Sequence, residues 1–262
     1  MIDMFKGTSF RDSGNSKGPI LIFIHGLGLN KDVWQWQLPA LERHYRLFTY
    51  DLWGHGESAH PEELPSLSLF SEQLRTLMDH NGFKKVTLIG FSLGGMIARR
   101  AAQDMPERLH RLVILNSPHE RTTAAQAAIV ARVEQARLEG PAATVEAALG
   151  RWFTDTYRLA NPEIMVLVRS WILANKKSFY YKNYRVLADG IDEIIGPKPP
   201  IACPTLVITG DEDFGNGPEM ATRIADEIKG SEVVIMKGLR HMALIEGQDR
   251  INRHITEFLW KN

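Results

Sequence analysis

The chain has 262 residues, 44% of them hydrophobic and 24% charged, and its 31 Lys+Arg balance its 31 Asp+Glu. That length buries an ample core without disulfide or metal staples, and a formal net charge of zero argues against nucleic-acid or anionic-membrane partners. Cys203 is the single cysteine, which excludes an intrachain disulfide.

Residues 1–18 contain no apolar core flanked by basic residues, and no apolar run approaches the roughly 18 residues of a membrane helix. The expectation is a soluble cytoplasmic protein. Ile20–Ile24 is a continuous apolar strand of the kind buried on both faces. Residues 34–41 read as a short helix and 45–50 as the next strand. Residues 66–81 read as a helix, with Leu67, Phe70, Leu74, Leu77 and Met78 at helical spacing and Asn81-Gly82 as its stop. The apolar run 86–89 is a strand, and 95–102 a helix. Leu109–Leu115 is again a strand. From Pro118 the composition turns helix-forming for a long stretch, punctuated by Gly140-Pro141, Asn161-Pro162 and Gly196-Pro197-Lys198-Pro199-Pro200. Strands resume at 204–210 and Glu232–Met236, with helices at 220–228 and 250–260. Strands alternating with helices argue for a mostly parallel central sheet covered on both faces. The organisation expected is an α/β core, residues 1–117 and 196–262, carrying an inserted helical cap, residues 118–195.

Between the strand at 86–89 and the helix that follows lies Gly90-Phe91-Ser92-Leu93-Gly94. A sharp strand-to-helix turn strains its central residue, and glycines two positions either side remove the Cβ clashes. Ser92 then stands exposed at the strand's carboxyl end, at the positive end of a helix, as the nucleophile elbow of a serine hydrolase does. A Ser hydroxyl needs a base, and the base an orienting acid. Asp211-Glu212-Asp213 directly follows one late strand, and His241 lies shortly beyond the next. In a parallel sheet, loops at the carboxyl ends converge on one edge.

His25-Gly26-Leu27-Gly28, Asp51-Leu52-Trp53-Gly54-His55-Gly56-Glu57-Ser58, the Ser92 elbow, Gly210-Asp211-Glu212-Asp213 and Gly238-Leu239-Arg240-His241 together resemble the α/β-hydrolase family, in its order and over nearly the whole chain. The resemblance implies Ser92 as nucleophile, His241 as base and Asp213 as acid, because the family places its acid at the end of Gly-x-x-Asp; Asp211 is the alternative. It implies the backbone N–H groups of Leu27 and Leu93 as an oxyanion hole. Ser in place of Asp at the elbow sets aside the dehalogenase and epoxide-hydrolase branches. The family opens on two antiparallel strands, and residues 1–16 hold so little apolar material that a short hairpin is expected. His25 and His55 read as structural residues of neighbouring loops.

Arg151-Trp152-Phe153-Thr154, Pro162, Arg169 and the aromatic cluster at 179–184 resemble the cap of the 3-oxoadipate enol-lactonase group, from which Phe179-Tyr180-Tyr181 departs by its bulk. The candidate substrate-binding residues are Trp34, Trp152, Trp171, Phe179, Tyr180, Tyr184 and Arg240, with cap arginines such as Arg151 available to hold a carboxylate. No His, Cys, Asp or Glu spacing suggests a metal, and no dinucleotide or phosphate loop is present, so no cofactor is expected. The expected activity is hydrolysis of a small carboxylic ester or lactone. The same machinery serves C–C cleavage of ring-fission diketones, amide cleavage of a small dicarboxylate, or ligand reception without turnover. The partner is a small-molecule substrate, and self-association stays open.

Overall fold

The computed structural model describes residues 2–261; Met1, part of the expected opening hairpin, and Asn262 lie outside the described residues. Strands β1 (Ile2–Phe5) and β2 (Thr8–Gly14) form an antiparallel hairpin that turns at Lys6 and Gly7, both with positive φ. The second arm is longer than its scant apolar content suggests. It is held by backbone pairing with β4 (Arg46–Tyr50), from Phe10 opposite Tyr50 to Gly14 opposite Arg46. Between them in sequence lie β3 (Ile20–Ile24) and α1 (Leu38–Leu41).

The helix expected at 34–41 is broken in two. A 3-10 turn covers Lys31–Trp36, capped by the Asn30 side chain accepting from the Asp32 N–H, and α1 starts afresh at Leu38. Pro39 is the physical cause: it has no N–H to donate, and in one continuous helix its ring would meet the carbonyl four residues back. Helix α2 (Leu67–His80) begins at Ser66, whose hydroxyl accepts from the Leu69 N–H, and buries Leu67, Phe70, Leu74, Leu77 and Met78.

The chain continues through β5 (Val86–Phe91), α3 (Leu93–Asp104) and β6 (Leu109–Leu115). Five helices follow without a strand: α4 (Thr123–Glu139), α5 (Ala142–Trp152), α6 (Asp155–Ala160), α7 (Pro162–Leu173) and α8 (Lys177–Asp189). The core then resumes with β7 (Thr205–Gly210), α9 (Pro218–Asp226), β8 (Glu232–Met236), α10 (Ala243–Glu246) and α11 (Gln248–Trp260). The eight strands form one sheet in the order β1-β2-β4-β3-β5-β6-β7-β8, antiparallel at β1-β2-β4 and parallel throughout the rest. Central β5 and β7 are buried at every position, as strands covered on both faces must be, while edge strand β8 alternates. Among the described residues no helix is long and apolar enough to cross a membrane.

Both ends of the α4–α8 run are fastened to one ion pair whose guanidinium is buried. Arg99 of α3, 1% exposed, donates to the carbonyls of Pro118 and Ile194 and pairs with Glu227 at 3.2 Å. Glu227 also accepts from the Gly196 N–H at 2.8 Å and lies 3.1 Å from the ring of His119. Residues on either side of the helical run are thereby tied to α3 and to the end of α9.

Candidate active site

The carboxyl edge of the sheet carries the site. Ser92 sits between β5 and α3 with φ 55 and ψ −115, a conformation L residues rarely adopt. Only glycine fits beside it. A Cβ on Gly90 would lie 2.3 Å from the Gly94 carbonyl oxygen, and one on Gly94 would lie 2.0 Å from that of Ile24. Neighbouring β6 holds the strained turn: the Ser92 N–H donates to the Leu115 carbonyl at 2.8 Å, and the Ser117 hydroxyl donates to the Ser92 carbonyl at 3.0 Å.

His241 follows β8 and faces Ser92, with Nε2 3.2 Å from Oγ. Its Nδ1 lies 2.7 Å from Asp213 Oδ2. An ionised carboxylate only accepts, so Nδ1 carries the ring proton and Nε2 turns its lone pair to the Ser92 hydroxyl. Asp213 is 5% exposed. Burial pushes its carboxyl up; His241, through the charge it takes when protonated and through its hydrogen bond, then Asn116 and the Asn216 N–H, outweigh this and hold it below the usual carboxylate range. Asp211 serves elsewhere: exposed on the same loop, it accepts from the Gly238 N–H at 2.7 Å.

Two residues at Asp213 escape a reading by sequence motif. Asn116, directly after β6, takes a positive φ of 46 and donates from Nδ2 to Asp213 Oδ2 at 2.9 Å. Asn216 donates its N–H to Asp213 Oδ1 at 3.0 Å and its side chain to the Asn116 carbonyl at 2.8 Å. The signal available for Asn116 was its position at a strand's carboxyl end; its amide matters because the acceptor lies 97 residues away.

Leu27 lies just past β3, and Leu93 opens α3. Neither N–H donates to a protein acceptor among the described residues. The Leu27 loop is rigidly held. Lys31 donates its N–H to Asp51 Oδ1 at 2.7 Å and its ammonium to Asp51 Oδ2 at 2.9 Å and Glu57 Oε2 at 2.6 Å. His25 donates from Nδ1 to the Gly26 carbonyl at 2.8 Å and accepts at Nε2 from the Leu52 N–H at 3.0 Å, both ring nitrogens thus engaged by backbone. Burial lowers its pKa to about 4 despite the Gly26 bond.

A cavity of about 260 Å³ lies over Ser92 and His241, just under the size range of drug-binding pockets and suited to a small molecule. Its apolar wall includes Leu27, Leu29, Phe91, Ile129 and Ala148, and α5 and α8 contribute Trp152, Tyr180 and Tyr184. The Trp152 ring lies 5.8 Å from that of His241. Four substrate-binding candidates lie off this cavity, and each is engaged elsewhere. Trp34 is fully buried against Phe23, Trp171 packs on Trp36, and Phe179 stacks on His60 at 4.2 Å. Arg240 donates to the carbonyls of Gly150 and Phe153 and pairs with Asp155, pinning the end of α5 to the His241 loop. Arg121 and Arg132, which the motifs passed over, do line the cavity. The usable signal for Arg132 was one face of α4, where Ala125, Ala128, Ile129 and Arg132 recur at helical spacing. Among the described residues no group of three or more His, Cys, Asp or Glu side chains is placed to hold a metal.

Residues 19–248 match the sequence profile of the alpha/beta hydrolase fold family. The chain is 27% identical over 245 residues to the (E)-2-((N-methylformamido)methylene)succinate hydrolase of Acinetobacter baylyi, covering 93% of this chain and 91% of that one. It is 28% identical over 248 residues to 3-oxoadipate enol-lactonase 2 of the same organism, covering 95% and 91%. In three dimensions it superposes on the crystal structure of the enol-lactonase from Burkholderia xenovorans LB400 with a TM-score of 0.91, at 26% identity and over 100% of both chains. A sheet with this strand order, a strained serine at the β5–α3 turn and a profile match over most of the chain lead to one conclusion: the protein belongs to the α/β-hydrolase family and is a hydrolase.

Proposed function

We propose that the protein is a serine hydrolase that cleaves small carboxylic esters or lactones through an acyl-enzyme at Ser92. The observation that carries this reading is the continuous relay from Ser92 Oγ to His241 Nε2, 3.2 Å, and from His241 Nδ1 to Asp213 Oδ2, 2.7 Å. His241 takes the hydroxyl proton as Ser92 Oγ attacks the acyl carbon. Negative charge grows on the acyl oxygen, and the unengaged Leu27 and Leu93 N–H groups stabilise it as an oxyanion hole. The tetrahedral adduct collapses, His241 gives its proton to the leaving alkoxide, and the acyl group stays on Ser92. His241 then takes a proton from water, whose oxygen attacks the acyl carbon, and Ser92 leaves with that proton restored. Asp213 holds the imidazole in its tautomer and favours its charged form. Residues 118–195 act as a helical cap over a core of residues 1–117 and 196–262, and Trp152, Tyr180 and Tyr184 are its substrate-facing aromatics.

Amide cleavage is the second reading, favoured by the similarity to a hydrolase whose named substrate carries a formamido group. The first steps are shared and only the leaving group differs. Ser92→Ala should lower turnover by several orders of magnitude while far-UV circular dichroism stays unchanged. A phosphonylating reagent should add mass at Ser92 alone. Labelling at another serine, or full turnover in the variant, would sink the assignment. Matched ester and amide substrates separate the two readings by their kcat/KM.

A further inference from the structure

Three guanidiniums line the cavity above Ser92: Arg121 just before α4, Arg132 on α4 and Arg151 near the end of α5. Elsewhere in the fold, carboxylates close such groups, as Asp12 does for Arg46, Glu227 for Arg99 and Asp155 for Arg240. Among the described residues, none of the three cavity arginines has a carboxylate in ion-pair reach. Arg121 donates to the carbonyls of Leu187 and Ala188 and to the Gln126 side chain, which ties α4 to the end of α8. Arg132 donates from Nε to the Tyr184 hydroxyl at 3.0 Å, and among the described residues its terminal nitrogens find no protein acceptor. Arg151 is half-buried and donates to no protein group among the described residues.

The charges are close enough to oppose one another. Burial first, and then the Arg132 charge, pull Arg121 down to about 10 and Arg151 below the ordinary arginine value. The carboxylate that lines the cavity, Asp213, is engaged by His241. Partly desolvated cations without a counter-charge cost free energy, and an anion placed between them relieves it. The guanidinium fork matches a carboxylate edge to edge. The wall shared with Ser92 is apolar at Ala125, Ala128, Ile129 and Ala148, which suits a short hydrocarbon chain joining the reacting carbon to the anion.

We infer that Arg132 and Arg151 form an anion subsite that takes a carboxylate carried by the substrate, remote from its scissile acyl carbon. Resting on the hydrolase reading above, this makes the substrate class the half-esters and lactones of dicarboxylic acids. Arg121 adds positive potential while its N–H groups hold the cap together.

Two esters sharing a leaving group and chain length test it, monoethyl glutarate and ethyl pentanoate. The wild type should favour monoethyl glutarate in kcat/KM. Arg132→Met and Arg151→Met should each lower the glutarate-to-pentanoate ratio by about 10- to 100-fold, one lost charge-assisted contact. Arg151→Lys should lower it less. Arg137→Met, whose guanidinium pairs with Glu134 at the surface, should leave the ratio where it was. A second readout needs no turnover and no fold-sensitive cap variant. Glutarate should bind Ser92→Ala in calorimetry, and adding Arg151→Lys should weaken it. An unmoved ratio in both Met variants, or no glutarate binding to Ser92→Ala, overturns the subsite. Glutarate binding without cleavage of either ester keeps the subsite and sinks the hydrolase reading. Ester cleavage with an unmoved ratio does the reverse.

Discussion

Asp211 and Asp213 stand two residues apart on one loop, and the loop sends them to different tasks. Asp213 is buried and meets His241 at 2.7 Å; Asp211 is exposed and caps the Gly238 turn. Asp213→Asn should cut kcat about a thousandfold or more, because an amide donor facing Nδ1 favours the wrong imidazole tautomer. Asp211→Asn keeps an oxygen acceptor for Gly238 and should leave kcat within a fewfold of the wild type. Reversed effects in a steady-state assay would mean that the acid is misassigned. The family resemblance, through Gly-x-x-Asp, points to Asp213 before any geometry. Asn116 was legible only as a non-acid at a strand end. That its amide reaches the same carboxylate depends on β6 lying beside β7, a pairing its local sequence does not state.

At the scale of elements, buried parallel strands and amphipathic helices were readable because their periods are set by their own backbone geometry. The 66–81 helix reads to within its caps, Ser66 and Asn81. The 34–41 segment failed because a proline inside an apolar pattern outweighs the pattern. The clasp at the ends of the helical run was invisible for another reason. Arg99 and Glu227 are 128 residues apart and have no motif in common. Glu227→Ala would leave a guanidinium that is 1% exposed without its counter-charge, and should destabilise the fold by about 3 kcal/mol, read from the urea midpoint. Glu146→Ala opens the exposed Arg169 pair, whose side chains are 33% and 67% exposed, and should cost at most about 0.5 kcal/mol. Equal midpoints for the two variants would reduce the clasp to an incidental contact.

Across the whole molecule, two histidines beneath the loops of the candidate site tie stability to pH. His25 and His55 face each other at 5.1 Å and are almost wholly buried. Burial lowers His25 from 6.5 to about 4. Burial, and then the charge of His25, lowers His55 from 6.5 to about 3; the Trp53 carbonyl and Asp51 oppose this only in part. Below 6.5 the unfolded chain takes up protons that the folded one refuses. Stability is therefore full above that value and falls as the pH drops toward about 4. Each histidine contributes on the order of 2 kcal/mol to the loss between pH 6.5 and about 5. Urea midpoints at about pH 7 and about pH 5 should differ accordingly, and His55→Gln should reduce the difference. A midpoint that stays level in the wild type would show that both rings charge in place without cost.

The strands of the parallel sheet, the long helices of the core, the strained serine and the positions of Asp213 and His241 after late strands were written locally, because each rests on neighbouring residues and on backbone periods of two or 3.6. The α/β-hydrolase membership follows from that same local record. The cavity wall does not. Trp34, Trp152, Trp171 and Phe179 are alike in hydrophobicity, and only the packing of the helices over the sheet decides that Trp152 faces the cavity while the others fill the interior or stack on the loops. Charge follows the same rule. Arg240, beside His241 in sequence, is consumed by carbonyls at the end of α5, whereas Arg132 on a distant helix turns inward. Sequence proximity sets which residues travel together along the chain; burial, crossing of helices and competition for acceptors set which of their side chains remain free to meet a substrate.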